Sequence, residues 1–286
     1  MNKKNDFSQK MHSYLRHPAS LIMMILVKLA ALITFTVLIF LIVYILVHGV
    51  PYLKPSLFSL HYNSENASLM PALINTVIMT LLSLLLAVPI GIFSAIFLAE
   101  YAGKGNKFVD IIRLTTETLS GIPSIVYGLF GMLFFVSTCH WGFSLLAGAF
   151  TLAIMILPLI MRTTEEALLS VPDSYREGSF GLGAGKLRTV FYIVLPSAVP
   201  GILAGVILAI GRIVGETAAL IYTAGSVAQV PSSVLGSGRT LAVHMYLLAS
   251  EGLYMDQAYA TAVILLVLVV VINTLSGMVA KKLTKA

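Results

Sequence analysis

Six apolar segments, each close to the roughly 20 residues needed to cross a bilayer, follow one another along the chain. They lie near residues 29–50, 72–98, 121–137, 142–161, 197–223 and 260–280. Their apolar residues run on continuously instead of alternating with polar ones, which favours helices over the strands of a membrane barrel. Because a helix satisfies its own backbone hydrogen bonds in lipid, the pattern predicts an all-α integral membrane protein with six transmembrane helices.

The composition agrees with a lipid environment. Of the 286 residues, 58% are hydrophobic and 10% are charged, whereas soluble domains carry about 25% charged residues. The one cysteine, Cys139, excludes a disulfide within the chain. Because His48, His61 and His244 are scattered along the sequence, we predict no metal site.

The N-terminal part divides into a basic tail, residues 1–20, and a first helix within residues 21–50. A basic start followed by an apolar stretch resembles a signal peptide. This stretch is too long for one, however, and no small-residue cleavage site follows it. We therefore expect a retained transmembrane helix, in which the long side chain of Lys28 reaches the membrane interface.

Basic residues are distributed unevenly among the polar segments. Fourteen of the eighteen lysines and arginines lie in four alternate segments: 1–20, 99–119, 162–196 and 281–286. The polar segments between these four contain only Lys54 and Arg239. The positive-inside rule then predicts a multi-pass protein of the cell (inner) membrane with both termini in the cytoplasm. The lipid bilayer thus accounts for the net charge of +6, and we predict no nucleic-acid partner.

Residues 162–196 form the most informative polar segment. Helical spacing over 163–170 ends at Pro172, and a second helix is predicted over 173–182, with Asp173 as N-cap and Gly183 in a left-handed cap. Apolar residues recur through both helices: Ala167, Leu168, Val171, Tyr175, Phe180 and Leu182. Such residues either dock onto another protein or pack beneath the membrane helices, and their pattern leaves both possibilities open.

Five residues of this segment match a signature at fixed spacing. Glu177, Gly183, Ile193, Leu195 and Pro196 resemble the E-A-A-x3-G-x9-I-x-L-P loop of ABC importer permeases, with Gly178 and Ser179 in place of the two alanines. The resemblance implies that this coupling loop, residues 162–196, sits in a cleft of a separate ATPase subunit. The coupling residues that it implies are Tyr175, Glu177, Gly178, Ser179, Gly183, Ile193, Leu195 and Pro196.

The glycine-rich string that begins at Gly181 is not a phosphate-binding loop. A Walker A motif has a glycine five residues before its Gly-Lys pair and a serine or threonine after it, but Phe180 and Leu187 occupy these positions. We therefore predict no nucleotide site and no cofactor in this chain, and the resemblance implies a permease subunit and not an enzyme. ATP and Mg would be bound by the partner ATPase.

Arg212 and Glu216 stand inside the fifth apolar segment. Four residues apart in a continuous helix, they would share one face. The same stripe holds Gly205, Ala209, Ala219 and Thr223, small residues that allow either close helix contact or a cavity. Charged side chains in a membrane are costly and face protein or water. The pair is therefore either a structural ion pair or an anion site on a translocation path, where the planar donors of arginine suit a tetrahedral oxyanion.

The string G-R-x-x-G-E-T-A, from Gly211 to Ala218, resembles the PstA permeases of phosphate-specific ABC importers, as do Arg162 and residues 240–244. The resemblance covers about residues 69–280, which would form a type-I ABC importer permease core. It implies phosphate import, with Arg212, Glu216 and Arg162 on the substrate pathway. The implied partners are a second homologous (PstC-like) permease, two cytoplasmic (PstB-like) ATPase subunits and an extracytoplasmic (PstS-like) phosphate-binding protein.

Three alternatives remain at the level of the sequence. The same fold could carry sulfate, molybdate or a peptide; the chain could be an ion-driven carrier or channel; or it could be a membrane scaffold without a transport path. Residues 224–258, which are rich in Gly, Ser and Ala and then amphipathic near 241–253, could form a re-entrant or an interfacial piece.

Overall fold

The computed structural model describes residues 18–102, 105 and 107–285, and the described residues form an all-helical bundle. Most of the predicted basic tail, residues 1–17, and Ala286 lie outside the described residues. The α-helices are α1 Pro18–Gly49, α2 Met70–Ile96, α3 Lys107–Ser120, α4 Ser124–Gly131, α5 Leu145–Leu169, α6 Asp173–Gly181, α7 Lys186–Thr189, α8 Leu195–Val214, α9 Ala218–Ile221, α10 Leu241–Glu251 and α11 Met255–Lys285.

Three helices continue into wider π-helical turns. Phe97–Tyr101 extends α2, Met132–Thr138 extends α4, and Val190–Val194 joins α7 to α8. Such turns insert an extra residue into the helix and frequently occur at functional sites. The one at the end of α2 belongs to the contact between the membrane helices and the coupling loop described below.

Five helices among the described residues are long and apolar enough to cross a membrane, and a sixth crossing results if the bent pair α3–α4 counts as one span. Six spans were predicted, but two of them differ in shape from the prediction. The third turns by 100° between Lys107–Ser120 and Ser124–Thr138. The fifth begins early, at Lys186, and ends early, at Val214. The predicted continuous helix over 197–223 is therefore wrong at both ends.

Helix α5 lies at the centre of the bundle and α1 at its edge. The buried side chains of α5 include Leu152, Ile156 and Ile160, which pack in the main apolar core. That core also takes residues from α2, α4, α8 and α10: Met79, Ala87, Tyr127, Ala209, Ile213 and Val243. Among residues 19–49, the part of α1 whose burial is described, only Gly49 is buried, and its backbone packs against that of Tyr259. Most of α1 is therefore left to face lipid or another subunit.

Ion pairs show which loops share one end of the bundle. Arg113 of α3 pairs with Glu165 at 2.6 Å, and Arg176 of α6 pairs with Glu100 at 2.6 Å. These contacts join the loop around 99–119 to the coupling loop, as the charge pattern predicts for two segments on the same side of a membrane. We call this the basic end, and the opposite end, where α2 begins, the far end.

The predicted stripe of small residues brings helices into close contact. Gly205 faces Thr163, and an added Cβ would lie 2.7 Å from the Thr163 Cβ. At Gly128, an added Cβ would lie 2.8 Å from the Ala219 Cα. Small residues at such crossings let helix backbones approach in the absence of a hydrophobic driving force. Of the two roles left open for the stripe, the structure therefore supports helix contact.

Gly205→Ala is expected to lower the melting temperature of the protein by several degrees in detergent. The new methyl overpacks the α5–α8 contact at a cost of about 1–3 kcal/mol, only partly offset by the higher helix propensity of alanine, about 1 kcal/mol. Gly211→Ala is the matched control on the same helix, because no atom lies within 4 Å of its added Cβ. Equal melting temperatures for the two variants would contradict this packing.

The segment after the fifth span returns into the bundle instead of lying outside it. Residues 224–240, here called the far segment, accept hydrogen bonds from the first N–H groups of α5, including Leu145 N–H to Gly236 O at 3.0 Å. Helix α10 follows, with Leu241 and Leu248 fully buried. Of the two predicted forms, a buried re-entrant piece thus agrees better with the structure than an interfacial helix.

Candidate functional site

The fifth span is interrupted where its two charged residues lie. Helix α8 ends at Val214, Gly215 follows, and the short helix α9 starts at Ala218. In membrane proteins, irregular backbone at this depth is tolerated where it is buried in protein or lines a water-filled cavity. The break therefore identifies this part of the span as a candidate site.

Arg212 occupies the last turn of α8, where a cation interacts favourably with the helix dipole. Its side chain is partly buried, and its charge lies close enough to Tyr127 of α4 to interact with the phenol. The Tyr127 hydroxyl donates to Leu119 O at 2.8 Å. Arg212 thus lies near α4, and no ion pair among the described residues joins it to a carboxylate.

Glu216 caps the helix that follows. Its carboxylate Oε1 accepts the Ala219 N–H at 3.0 Å, and the residue is buried, with 8% of its surface exposed. A carboxylate at a helix N-terminus is stabilised by the free N–H groups there. In the part of the chain that the structure describes, no ion pair joins Glu216 to Arg212. The predicted single helical face is therefore wrong, because the helix breaks between the two residues.

A cavity of about 690 Å³ opens beside this break. Thr217, Ala218, Ile221 and Tyr222 line it from the side of α9, and α1, α4, α10 and α11 supply the rest of its wall. Neither Arg212 nor Glu216 lines the cavity, although its wall begins one residue after Glu216. Most residues that line the cavity are apolar, and its polar side chains are those of Thr217, Tyr222, Tyr246 and Tyr259.

Arg162, the third predicted pathway residue, lies at the basic end of α5 and away from the break. Its Nε donates to Glu166 Oε1 at 2.9 Å, and 57% of its side chain is exposed. A second, smaller cavity of about 250 Å³ is lined by Arg162, Glu166, Arg113 and Glu165. The structure does not bring Arg162 together with Arg212. If both lie on a substrate pathway, a solute would contact them one after the other.

The coupling loop contains the predicted short helix. Helix α6 runs from Asp173 to Gly181, after Pro172, so Asp173 is its first residue and not its N-cap. Gly183 has φ of +82°, the left-handed conformation that glycine adopts without strain. The predicted separate helix over 163–170 is wrong, because α5 continues without interruption to Leu169.

The apolar residues of this loop divide into two groups. Ala167, Leu168 and Val171 are buried in a second core at the basic end, together with Ile96, Val190 and Ile202. Tyr175, Phe180 and Leu182 are exposed, Leu182 to 91%. Both predicted roles therefore occur: the first group packs beneath the membrane helices, and the second group is free to contact another protein.

Five of the eight predicted coupling residues line one surface groove of about 420 Å³: Tyr175, Gly178, Ser179, Gly183 and Ile193. The Ser179 hydroxyl lies 2.8 Å from that of Thr189, which fixes the groove wall to the start of the fifth span. Glu177 is exposed outside the groove. Leu195 packs against the second core, and Pro196 lies in the first turn of α8. The signature thus combines surface residues with residues that shape the loop.

Comparison with known proteins decides the family. The model of the binding-protein-dependent transport system inner membrane component family matches residues 87–285, more than half of the chain. The chain belongs to this family of ABC importer permeases. Its fifth span and coupling loop both lie within the matched residues.

Individual proteins that are similar in sequence to this ABC permease are themselves permeases. A probable ABC transporter permease protein of Bacillus subtilis, YqgI, is 35% identical over 278 residues, which cover 90% of this chain and 94% of the relative. The phosphate transport system permease protein PstA 1 of Mycobacterium tuberculosis is 35% identical over 211 residues, 73% of this chain and 69% of that protein. PstA of Haemophilus influenzae is 39% identical over 62% of each chain.

Solved structures share the fold of this permease. A chain of a bacterial ABC transporter that imports the acidic polysaccharide alginate matches with a TM-score of 0.68 and 17% identity, covering 96% of this chain and 99% of that one. A chain of the inward-facing MetNI methionine transporter matches with a TM-score of 0.58 and 20% identity, over 84% and 97%. The all-helical type-I importer permease fold is therefore confirmed.

Two residues of this permease that sequence reasoning missed join the coupling loop to the membrane helices. Arg176 Nη2 lies 2.6 Å from Glu100 Oε1 and 2.9 Å from Leu168 O, while Nη1 donates to Val171 O at 2.7 Å. The hydrogen bonds that Arg176 donates to the Glu100 carboxylate raise the pKa of Arg176 above its usual value. Arg176 directly precedes Glu177 of the signature, but its partners lie up to 76 residues away.

Proposed function

We propose that this permease carries inorganic phosphate into the cell, as one membrane subunit of an ATP-driven importer. Family membership accounts for the importer, and it removes the ion-driven carrier and the scaffold from the alternatives. The PstA relatives support phosphate as the substrate. The observation that carries the proposal is the interrupted fifth span, which places an arginine and a buried carboxylate next to a membrane cavity.

The proposed transporter contains four further subunits: a second, PstC-like permease, two PstB-like ATPases and a PstS-like phosphate-binding protein. The exposed edge formed by α1 and the cavity wall is the surface that a second permease would cover. A related alginate transporter was solved in complex with its periplasmic binding protein. In this scheme the basic end faces the cytoplasm, where ATP binding closes the ATPase dimer and moves the coupling loops of both permeases.

The proposed chemistry is recognition without covalent change. The guanidinium of Arg212 binds phosphate oxygens through charge-assisted hydrogen bonds. Phosphate near neutral pH keeps at least one O–H, which the carboxylate of Glu216 can accept. Sulfate has no such hydrogen, and its oxygens would be repelled by the same carboxylate. The two residues together would therefore favour phosphate over sulfate.

Glu216→Gln is expected to weaken the discrimination against sulfate by about tenfold, which corresponds to about 1.4 kcal/mol. The amide keeps an oxygen that can accept the Ala219 N–H, but its NH₂ group also donates to sulfate. The measurement is uptake of labelled phosphate by the reconstituted transporter in the presence of excess sulfate.

Glu251→Gln, at an exposed carboxylate on α10, is the matched control and should behave like the native chain. Unchanged discrimination in Glu216→Gln would remove this role of the carboxylate. A native transporter that takes up sulfate or a peptide, and no phosphate, would instead favour the remaining alternative, a permease of this fold with another substrate.

A further inference from the structure

The coupling helix α6 is held to two membrane helices by one side chain. Arg176 bonds to the carbonyl groups of Leu168 and Val171 at the end of α5, and it pairs with Glu100 in the π-helical turn that ends α2. The side chain of Glu100 is 7% exposed and that of Arg176 is 15% exposed. Such a sheltered, multiply bonded pair is far less screened than a surface ion pair.

A second contact connects the other side of the loop to the same π-helical turn. The Lys186 ammonium lies 5.1 Å from the centre of the Tyr101 ring, within the range of a cation–π interaction. Adjacent residues of one turn, Glu100 and Tyr101, thus bind cations that precede and follow the exposed Phe180 and Leu182 of the coupling loop. The turn is therefore attached to the loop on both sides of its exposed residues.

Helices α2 and α5 pack against each other over most of the membrane. The contact face of α2 repeats every four residues through Met79, Ser83, Ala87, Gly91 and Ala95, all buried. At Gly91 an added Cβ would lie 2.7 Å from Ile160 Cγ2 of α5. Close packing of this kind makes the two helices move together, because a tightly packed interface does not deform gradually.

The same two helices hold the far segment at the opposite end. The Asn75 side-chain amide of α2 donates to Gln229 O at 2.9 Å and to Arg239 O at 3.1 Å, and Thr76 Oγ1 accepts the Leu241 N–H at 2.8 Å. The N–H groups at the start of α5 donate to Val234 and Gly236. The pair α2–α5 therefore contacts the coupling loop at one end and the far segment at the other.

We propose that Arg176 fastens the coupling helix to the α2–α5 pair, and that this pair transmits ATP-driven movement to the far segment. The inference rests on the coupling of this permease to an ATPase and not on phosphate as its substrate. Without Arg176, the coupling helix remains tied to α5 by the turn at residues 170–172, but its sheltered bond to α2 is lost. Movement of the ATPase would then reach the pair only through α5 and the Lys186–Tyr101 contact, and less of it would reach the far segment.

The test measures a distance at the far end while ATP binds at the basic end. Spin labels are placed at Val47 and Val230, which are 61% and 40% exposed, in a Cys139→Ser background that removes the one native cysteine. In the assembled complex, ATP is expected to shift this distance in the native sequence. Arg176→Gln and Glu100→Gln are expected to reduce the shift severalfold while the ATPase subunits still copurify with the permease.

Arg113→Gln is the matched control, because Arg113 makes an ion pair of the same length at the same end without contacting α6. It should retain the full shift. A normal shift in Arg176→Gln, or no shift in the native sequence, would overturn the proposal. In a parallel uptake assay with inorganic phosphate, a native complex that shows the shift but moves no phosphate would refute the proposed substrate and leave the mechanical link standing.

Arg176→Lys separates this role from a purely structural one. Lysine keeps the charge but offers only a single ammonium in place of the planar set of donors. We expect the number of phosphate ions transported per ATP hydrolysed to fall severalfold while melting temperature and ATPase association stay normal. If transport and hydrolysis fell in the same proportion, Arg176 would only stabilise the loop, and the proposal would be overturned.

Discussion

Arg212→Gln is expected to reduce phosphate uptake by about a hundredfold without loss of the assembled transporter. A pair of charge-assisted hydrogen bonds contributes about 3 kcal/mol, and each 1.4 kcal/mol is a factor of ten. Glutamine keeps a hydrogen-bonding side chain of moderate length but has neither the charge nor the planar set of donors. The measurement is ATP-dependent uptake of labelled phosphate by proteoliposomes.

Two further variants define the cause of this effect. Arg212→Lys keeps the charge without the paired donors, so we expect a smaller loss, about tenfold. Lys28→Gln removes one positive charge from the exposed helix α1 and should leave uptake unchanged. Native uptake in Arg212→Gln would show that the guanidinium is a structural group at the helix end, and it would remove Arg212 from the pathway.

Leu182→Asp is expected to weaken association with the ATPase subunits by about thirtyfold or more, since the truncation of a central apolar contact alone costs about 2 kcal/mol. Leu182 is 91% exposed next to the groove of the coupling loop. Contact with a partner would bury this side chain, which would explain why an apolar residue is exposed here in the isolated subunit. The measurement is the fraction of ATPase that copurifies with the permease.

Leu253→Asp provides the matched control. Leu253 is also highly exposed, at 81%, but it lies between α10 and α11 at the far end. It should therefore leave ATPase association at the native level. If Leu182→Asp bound the ATPase as well as the native chain, the coupling surface would have to lie elsewhere on the basic end.

The apolar segments predicted most of the fold because a segment in lipid forms a helix, which satisfies its own backbone hydrogen bonds. The long helix α2 follows directly from the length and continuity of its apolar segment, and α5 does so up to about residue 161. Gly183 was predictable as well, since only glycine adopts a left-handed backbone without strain. In each case the structure is determined by local residues, and no distant partner is needed to specify it.

Two features that the sequence did not predict, the break at Gly215 and the contact of Arg176 with Glu100, have a common physical cause. The break at Gly215 lies within apolar residues whose pattern continues to Thr223, so periodicity alone extended the helix. In the structure Arg212 lies in the last turn of α8 and Glu216 caps α9, so each charge lies at its own helix end, and Ala219 lies close to Gly128 of α4. The role of Arg176 could not be predicted for a related reason, because its partner Glu100 belongs to another span. Contacts between distant segments are invisible to a reading of one segment at a time.

This permease is expected to move phosphate only when ATP is hydrolysed by subunits bound at its coupling loop. The most direct measurement is uptake of labelled phosphate by proteoliposomes that contain both permeases and both ATPases, with the phosphate-binding protein outside and ATP inside. Phosphate is expected to accumulate only with ATP present, and accumulation is expected to be lost in Arg212→Gln. Phosphate accumulation without the ATPase subunits, driven by an ion gradient alone, would contradict it.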